Sequence, residues 1–431
     1  MKTAVLGLWH LGTTTAACLA SAGHDVVGID FDSVVVEGLS AGNPPLFEPG
    51  LGDLVTAGLA SGRLRWSAEP VEVADAEVVW ITYDTPVDDE DRADVEFVLQ
   101  RTQQVFPYLR DDVVVLVSSQ VPVGSTRKLE DMWAAAARGR RARFGYVPEN
   151  LRLGKAITAF TTPDRIVVGL RSATDRERVA TLLAPFSDRI EWMSVESAEM
   201  TKHALNAFLA TSVTFINEIA SICEQVGADA ADVERGLKSE ARIGPKAYLS
   251  PGSAFAGGAL ARDVVFLSWL GPAHGVSLHL LPAVKKSNDV HRMWAQRRLE
   301  QLLGPMAGQT VAIWGLAYKP GTDTLRRSGA VELGRWLAER GATVQVHDPV
   351  IGQLPGEIAG SMRVAGTALD ALDGASALVV ATPWPAYREV DPTMVHARLK
   401  RALVLDANCF LAETLGRHPG LEYISVGRGA A

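Results

Sequence analysis

Two polar side chains spaced four residues apart are the first candidates for chemistry in this sequence. Lys202 and Asn206 lie in residues 197–226, a run without proline or glycine that predicts a long helix. On a helix this spacing puts an amine and an amide on one face, where together they can stabilise a developing alkoxide. The same pair also fits an ordinary solvated helix face, so both interpretations stay open at this point.

A glycine-rich turn near the start of the chain is the second candidate, because it suits a phosphate group. Gly7-Leu-Trp9-His-Leu-Gly12 follows a short apolar strand and precedes a helical pattern, and Asp30 ends the next strand. The helix N-terminus presents free N–H groups to a pyrophosphate, and Asp30 can accept hydrogen bonds from a ribose diol. The pattern favours NAD over NADP, with a tight structural turn as the alternative. Trp9 is a departure, because a middle glycine normally lets the backbone approach the phosphates.

The elements that must position these residues alternate between strands and helices. Six strand patterns, with helical patterns between most of them, predict a doubly wound α/β domain over residues 1–195: 3–7, 26–30, 78–82, 113–118, 144–147 and 165–169. Two long helical patterns, at 197–226 and from about 276 to 303, predict a helical and dimerising domain over 196–303. A second strand and glycine pattern begins at 310–315 and predicts another such domain over 304–431. Gly315 has no matching acidic pair in a full fingerprint, so we expect that domain to hold a different ligand.

Composition and charge exclude several classes of protein. A chain of 431 residues with 47% hydrophobic and 21% charged residues is an ordinary globular sequence of two or three domains. Its net charge of −8 argues against a nucleic-acid surface, and we expect no membrane-spanning segment because the apolar runs are short. Cys18, Cys223 and Cys409 lie far apart, which fits neither a disulfide framework nor a zinc site. We expect a cytoplasmic protein without a metal.

Eight segments, in order along the chain, together resemble one enzyme family. They are Phe47-Glu-Pro-Gly50, Tyr83-Asp-Thr-Pro86, Val121-Pro-Val-Gly124, Pro148-Glu-Asn-Leu-Arg152, Pro163-Asp-Arg-Ile166, Ser197-Ala-Glu-Met-Thr-Lys202-His-Ala-Leu-Asn206, Tyr248-Leu-Ser-Pro-Gly252 and Gly315-Leu-Ala-Tyr-Lys319-Pro-Gly-Thr-Asp323. In this ordered set the chain resembles the UDP-glucose/GDP-mannose dehydrogenase family over residues 1 to about 410. The resemblance implies an α/β protein with two Rossmann-like doubly wound domains joined by a long central helix. It also implies a homodimer that oxidises the C6 alcohol of a nucleotide-diphosphate sugar, UDP- or GDP-linked, to a carboxylate with two NAD.

The resemblance also implies roles for individual residues. Matched positions predict acid/base work for Glu149, a water-holding or base role for Asp263 and alkoxide stabilisation by Lys202 and Asn206. Gln120 stands where the family uses a threonine near the reacting hydroxyl. The expected cofactor-binding residues are Gly7, Trp9, His10, Leu11, Gly12, Asp30, Thr85, Pro86 and Arg327. The expected substrate-binding residues are Leu151, Arg152, Arg242, Tyr248, Gly257, Ala259, Lys319 and Arg326.

Ala259 is the departure with the largest chemical consequence. Phe255-Ala-Gly-Gly-Ala-Leu-Ala-Arg-Asp263 resembles a family segment in which a nucleophilic cysteine stands at the position of Ala259. An aldehyde has no hydride to lose until a nucleophile adds to it, and alanine cannot add. We therefore expect a two-electron oxidation that stops at a ketone or aldehyde, with a secondary alcohol at or near C6 as the substrate, as in a specialised-metabolite pathway. The alternatives are residual 6-dehydrogenase activity that forms a uronate, a non-catalytic binding homologue, and an NAD-dependent epimerase.

Overall fold

Two compact units make up the structure, a computed structural model that describes residues 1–88, 92–137, 139–256, 258–356 and 358–428. The first unit is Met1–Leu205 and the second is Asn206–Ala431. One helix, Val195–Val226, runs from the first unit into the second.

The first unit is an α/β layer in which helices alternate with strands along the chain. Its elements are β1 (Lys2–Leu6), α1 (His10–Ser21), β2 (Asp25–Ile29), α2 (Ser33–Ser40), α3 (Leu51–Ala60), β3 (Leu64–Ser67), β4 (Val78–Ile81), α4 (Val95–Gln103), β5 (Val113–Val117), α5 (Ser125–Ala136), β6 (Ala142–Tyr146), α6 (Ala156–Thr161), β7 (Ile166–Leu170), α7 (Arg176–Leu183), β8 (Ile190–Met193) and the start of α8 (Val195–Val226).

The strands of the first unit form one sheet in the order β3-β2-β1-β4-β5-β6-β7-β8. Neighbouring strands are parallel except β6 and β7, which are antiparallel. Side chains alternate between two apolar clusters, with Ala4 and Leu6 in one and Val5 in the other, so the sheet is buried on both faces. The strand order reverses between β1 and β4, and in such sheets ligands bind outside the carboxyl ends of the strands at this point.

A buried carboxylate ties α8 to the first unit. Glu199 has no exposed surface, and its two oxygens accept hydrogen bonds from the Gly124 N–H at 2.7 Å, the Thr126 N–H at 2.9 Å and the Thr126 hydroxyl at 2.7 Å. These donors belong to the first turn of α5, whose N–H groups have no partner within their own helix. Each such group left unsatisfied after burial costs about 1–3 kcal/mol, so Glu199 stabilises both helices.

The second unit combines helices with a second sheet. After α8 its elements are α9 (Ala230–Ser239), α10 (Ala259–Ala273), α11 (Leu280–Arg292), α12 (Trp294–Leu303), β9 (Thr310–Trp314), α13 (Gly329–Glu339), β10 (Thr343–His347), β11 (Arg363–Val364), β12 (Ala377–Val380), α14 (Pro392–Arg398), β13 (Leu403–Leu405) and β14 (Glu422–Ile424). The strands are all parallel in the order β11-β10-β9-β12-β13-β14, so the order reverses between β9 and β12 just as it does between β1 and β4.

The predicted fold class is confirmed, with corrections to individual elements. The two sheets and the long helix match the expectation, and each predicted strand lies within about two residues of an observed one. The predicted helix from about 276 to 303 is wrong as a single element, because the chain reaches α11 only at Leu280 and breaks again at Met293 before α12. Short strands β3, β8, β11 and β14 were not predicted. The domain boundaries at 195 and 303 stay predictions.

Helix α8 is long and apolar enough to cross a membrane by length and composition. The apolar runs are therefore longer than expected, and the absence of a membrane-spanning segment stays a prediction. Glu199 and Lys202 of this helix are both buried in the first unit, and each is bound by its own protein partners. Buried charged residues with partners are typical of the core helix of a globular protein.

Candidate functional site

The turn after β1 has the shape that a dinucleotide phosphate requires. Gly7 has a φ of 91°, and a Cβ there would lie 2.5–2.7 Å from Tyr83. A Cβ on Gly12 would lie 1.8 Å from the Gly7 carbonyl oxygen and 2.6 Å from the Thr82 hydroxyl. Only glycine fits at either position, so the turn brings the N-terminus of α1 close to the ends of β1 and β4.

Asp30 follows β2 and is half-buried beside this turn. Its Oδ2 accepts a hydrogen bond from the Leu8 N–H at 2.7 Å, and its Oδ1 accepts one from the Asp32 N–H at 3.1 Å. Each carboxylate oxygen has two acceptor positions, so capacity remains for a ribose diol. The glycine cradle and the partly exposed Asp30 fit NAD.

The remaining predicted cofactor residues of the first unit lie at the start of α1 and in the segment after β4. Trp9 is the N-cap residue of α1 and is 44% exposed, so its indole points away while the backbone keeps the glycine-turn shape. His10 and Leu11 begin α1 and are half-buried. Thr85 is buried and Pro86 exposed in the segment after β4.

A buried amine meets a carboxylate where α8 passes the segment after β6. Lys202 is 5% exposed, and its Nζ donates to the Glu149 carbonyl oxygen at 2.6 Å and to Glu149 Oε1 at 2.9 Å. The other carboxylate oxygen of Glu149 accepts the Leu151 N–H at 2.9 Å. Two residues predicted independently for catalysis are therefore in direct contact, and the pair can hold or move a proton.

Gln120, Leu151 and Arg152 lie after β5 and β6 in the same unit. Gln120 is 7% exposed, Leu151 is half-buried and Arg152 is exposed. Leu151 is fixed by its hydrogen bond to Glu149, and Arg152 offers a cation to solvent one residue later. The roles of these three residues stay predictions.

In the second unit, Asn206 and Asp263 form a buried pair between α8 and α10. Asn206 Nδ2 donates to Asp263 Oδ2 at 2.5 Å, and Asp263 has no exposed surface. A fully buried carboxylate needs donors around it, because burial without them costs several kcal/mol. Two further predicted catalytic residues are thus brought together, fifty-seven positions apart in sequence.

The segment before α10 is held by polar side chains from several elements. The Phe255 N–H donates to Asn288 Oδ1 at 3.0 Å, and Asn288 Nδ2 donates back to the Phe255 carbonyl at 2.8 Å. His291 contacts the Gly252 carbonyl at 2.8 Å, and the Gly252 N–H donates to Asn217 at 3.0 Å. This segment therefore enters α10 from a fixed position.

Ala259 is the exposed first residue of α10 and follows the N-cap residue Gly258, whose φ is 102°. A side chain at position 259 therefore points outward from the N-terminus of the helix. Gly257, predicted to bind substrate, lies outside the described residues.

The three cysteines all lie in other surroundings. Cys18 is fully buried in the apolar core of the first unit, where desolvation raises the pKa of its thiol to about 12. Cys223 is buried on α8 in the cluster that covers the second sheet, and Ala261 of α10 belongs to a different cluster. Cys409 follows β13 and is half-buried with a φ of 54°.

The turn after β9 has the same backbone geometry as the turn after β1, but the acidic residue beside it has no acceptor capacity left for a ligand. Gly315 has a φ of 89°, and Asp348 follows β10 as Asp30 follows β2. Gly315 belongs to no full glycine fingerprint, yet an acidic residue does hold its turn, since Asp348 accepts the Leu316 N–H at 2.7 Å. Asp348 also binds the Trp384 indole N–H at 3.0 Å and is 6% exposed. Because these donors occupy Asp348, this carboxylate is closed to a ribose diol.

The predicted ligand residues of the second unit lie on two segments. Lys319, Arg326 and Arg327 belong to the segment between β9 and α13, where Arg326 is exposed and Arg327 holds a φ of 58°. A non-glycine residue in this region stores backbone strain, which is typical of functional segments. Arg242, paired with Glu240 at 3.0 Å, and Tyr248 are exposed after α9.

Two structural roles were not predicted from the sequence. Glu48 is buried and accepts a hydrogen bond from His10 at 2.9 Å, and Asp348 organises the second turn. In the sequence, Glu48 could have been singled out from the Phe47-Glu-Pro-Gly50 segment. Asp348 could have been singled out from the repeated strand and glycine pattern. Among the described residues, no group of three or more His, Cys, Asp or Glu side chains is placed to hold a metal ion.

Comparison with protein families gives a match along most of the chain. Residues 1–187 match the NAD binding domain of the UDP-glucose/GDP-mannose dehydrogenase family. Residues 196–290 match its central domain, and residues 312–413 match its UDP binding domain. The NAD-binding match covers the open glycine turn, and the UDP-binding match covers the turn closed by Asp348.

Individual relatives are similar over the full length. The chain is 34% identical to a UDP-glucose 6-dehydrogenase of Pseudomonas aeruginosa, covering 100% of this chain and 98% of that one. It is 32% identical to the UDP-glucose 6-dehydrogenase TuaD of Bacillus subtilis, covering 100% and 94%. The solved structure of a UDP-glucose dehydrogenase from Pyrobaculum islandicum superposes with a TM-score of 0.88 at 30% identity, covering 100% of this chain and 98% of that one.

The glycine cradle makes a direct prediction for cofactor binding. Gly12→Ala puts a methyl group against the Gly7 carbonyl, so we expect the dissociation constant for NADH to rise at least roughly tenfold. The measurement is a titration of NADH fluorescence. Gly38→Ala is the matched control, because a Cβ there meets only an ordinary contact at 3.4 Å. Equal NADH affinity in Gly12→Ala and the control would contradict the assignment of this turn.

Proposed function

Because the chain belongs to the UDP-glucose/GDP-mannose dehydrogenase family and is an NAD-dependent nucleotide-sugar dehydrogenase, we propose that it oxidises the C6 hydroxyl of a UDP-linked hexose. The names of the full-length relatives support C6 of a UDP-hexose over the secondary alcohol expected from the sequence. The match of residues 312–413 to a UDP binding domain supports the uridine nucleotide. The observation that carries the proposal is the buried contact between Lys202 and Glu149 in a chain with an open dinucleotide turn.

The cofactor residues are proposed from the geometry of the first unit. Gly7 and Gly12 leave room for the pyrophosphate against the N-terminus of α1, and Asp30 accepts hydrogen bonds from the ribose. We assign His10 and Leu11 at the start of α1, and Thr85 and Pro86 after β4, to the same cofactor site, and Trp9 contributes its backbone at the N-cap. For Arg327, in the second unit, a cofactor role stays a prediction from the family resemblance. Bound NAD supplies the hydride acceptor.

The residues of each unit have a defined task in the proposed oxidation. In the first unit, the Lys202 ammonium stabilises the oxygen that loses its proton, and Glu149 accepts that proton. In the second unit, Asn206 donates to Asp263 and fixes its position, and we assign Asp263 to hold water or accept a proton. Gln120 orients the hydroxyl. The C–H bond then breaks with its electron pair as the C=O bond forms.

The substrate contacts that we propose are assigned for each unit separately. Leu151 and Arg152 follow the catalytic Glu149, and Lys319 and Arg326 follow the second glycine turn, where cations suit a diphosphate. Arg242, Tyr248, Gly257 and Ala259 complete the proposed set. We place the protein in the cytoplasm, and the three-domain division at 195 and 303 belongs to the same proposal.

A second candidate concerns where the reaction stops. The relatives' names support the uronate-forming alternative, whereas Ala259 supports release of the carbonyl compound after one oxidation. No thiol among the described residues stands at α10, and the Cys18 thiol is held protonated by burial. A second hydride can then leave only from the aldehyde hydrate, a slower route without a covalent adduct.

Counting reduced cofactor tests both candidates. Purified protein with limiting UDP-glucose and excess NAD is expected to release about one NADH per sugar, because alanine forms no thiohemiacetal. Ala259→Cys is expected to raise this ratio toward about two and to form a sugar adduct detectable by intact mass. Ala259→Ser is the control.

Three outcomes contradict these proposals. Two NADH per sugar with a carboxylate product from the unaltered protein would overturn the early stop. Binding of both ligands without NADH would favour the non-catalytic homologue, and epimerised sugar with tightly held NAD would favour the epimerase. Binding without NADH formation, or epimerisation with tightly held NAD, would overturn the proposed net oxidation of the sugar.

We also propose a homodimer formed through α8. Phe208, Phe215 and Ile222 are 69%, 46% and 56% exposed and recur every seven residues, so they form one apolar stripe. Such spacing is typical of a helix that packs against another helix, and exposed stripes of this kind mark association surfaces.

The stripe predicts the oligomeric state. Phe215→Glu puts charges at its centre and is expected to convert the dimer to a monomer in light scattering coupled to size exclusion. Val34→Glu is the control, since Val34 is 73% exposed on α2, outside the stripe. A monomeric unaltered protein, or a dimer that survives Phe215→Glu, would contradict the proposal.

A further inference from the structure

Glu48 is a buried carboxylate whose partners come from two separate segments of the first unit. Its side chain is 1% exposed. Oε2 accepts hydrogen bonds from His10 Nε2 at 2.9 Å and from the Gly154 N–H at 2.7 Å, while Oε1 accepts the Ala156 N–H at 2.8 Å. One carboxylate therefore holds the first residue of α1 and the end of the segment that follows β6.

These two segments carry different ligands in the proposed function. His10 lies between Gly7 and Gly12, in the turn proposed to hold the dinucleotide. Gly154 and Ala156 end the segment 149–156, which begins at Glu149 and includes the proposed sugar-nucleotide contacts Leu151 and Arg152. This segment is fixed at one end by Lys202 and at the other by Glu48.

Burial makes the connection stiff. If a buried carboxylate moves away from one of its donors, it loses a charge-assisted hydrogen bond, and no water is present to replace that bond. When α1 shifts at His10, the Glu48 side chain must therefore move with it to keep its hydrogen bond. The N–H groups of Gly154 and Ala156, which donate to the same carboxylate, must then move as well. Close packing around the side chain leaves little room for independent movement.

We propose that the His10–Glu48 pair couples dinucleotide binding to the ordering of segment 149–156, so that NAD and the nucleotide sugar strengthen each other's binding. The inference rests on the proposed function and adds regulation of the same site. Glu48 and His10 are positioning residues, because they act through the turn and the segment rather than on the reacting atoms. Coupling of this kind is reciprocal and is commonly about 5- to 150-fold in affinity.

The test measures coupling rather than affinity alone. Calorimetric titration gives the dissociation constant of UDP-glucose in the absence and presence of saturating NADH, which prevents turnover. In the unaltered protein NADH is expected to tighten UDP-glucose binding at least about fivefold. In His10→Ala this ratio is expected to fall to about one, because the donor to Glu48 is gone.

Three variants separate positioning from general destabilisation. His10→Gln keeps an N–H donor and is expected to retain most of the coupling, whereas Glu48→Gln presents an NH2 group to N–H donors and is expected to lose it. His24→Ala is the matched control: it removes a second histidine of the first unit, which is buried and contacts the Leu182 carbonyl at 3.1 Å. Its coupling ratio is expected to equal that of the unaltered protein.

The outcomes distinguish this inference from the proposed function. If the unaltered protein binds neither NADH nor UDP-glucose, both the proposed function and this inference are overturned. Binding of both ligands with no coupling in the unaltered protein, or with full coupling in His10→Ala, overturns the inference and leaves the proposed function standing.

Discussion

Lys202 brings a charged amine into the interior of the first unit, where a cation without partners is costly. Its Nζ is satisfied by the carbonyl and the carboxylate of Glu149, so the segment after β6 must fold back against α8 for the helix to take its place. Glu199, one turn earlier on α8, is also buried and takes its donors from the first turn of α5, so that turn must likewise pack against α8. Glu48 then fixes the far end of the segment that Glu149 begins. Three buried charges thus determine the backbone positions on which the proposed chemistry depends.

The two sheets show how one topology serves two ligands. Both have a glycine with positive φ after the first strand and an aspartate after the second. Asp30 is half-buried and keeps acceptor capacity, whereas Asp348 is closed by backbone N–H groups and by the Trp384 indole. The difference is one of hydrogen-bond saturation rather than of fold, and it agrees with the separate matches to an NAD binding domain and a UDP binding domain.

The sequence predicted the fold class, the open turn and the long helix because each has a strong local pattern: a glycine pair between strand and helix, or thirty residues without a helix breaker. It failed for the helix predicted from 276 to 303, since the break at Met293 has no proline or glycine to mark it. The pairs Lys202–Glu149 and Asn206–Asp263 join residues more than fifty positions apart, so only the resemblance could link them. Glu48 and Asp348 were not assigned, although local patterns marked both positions, because their partners lie far away in the sequence. The site residues as a set stay predictions.

Ala259 separates the chemistry that the buried charges support from the chemistry that needs a thiol. The central claim is that a hydride leaves C6 of a UDP-hexose, and isotope transfer tests it most directly. With UDP-glucose carrying deuterium at both C6 positions, the account predicts reduced cofactor that contains deuterium and a carbonyl product that keeps the other deuteron. Reduced cofactor without deuterium would contradict it.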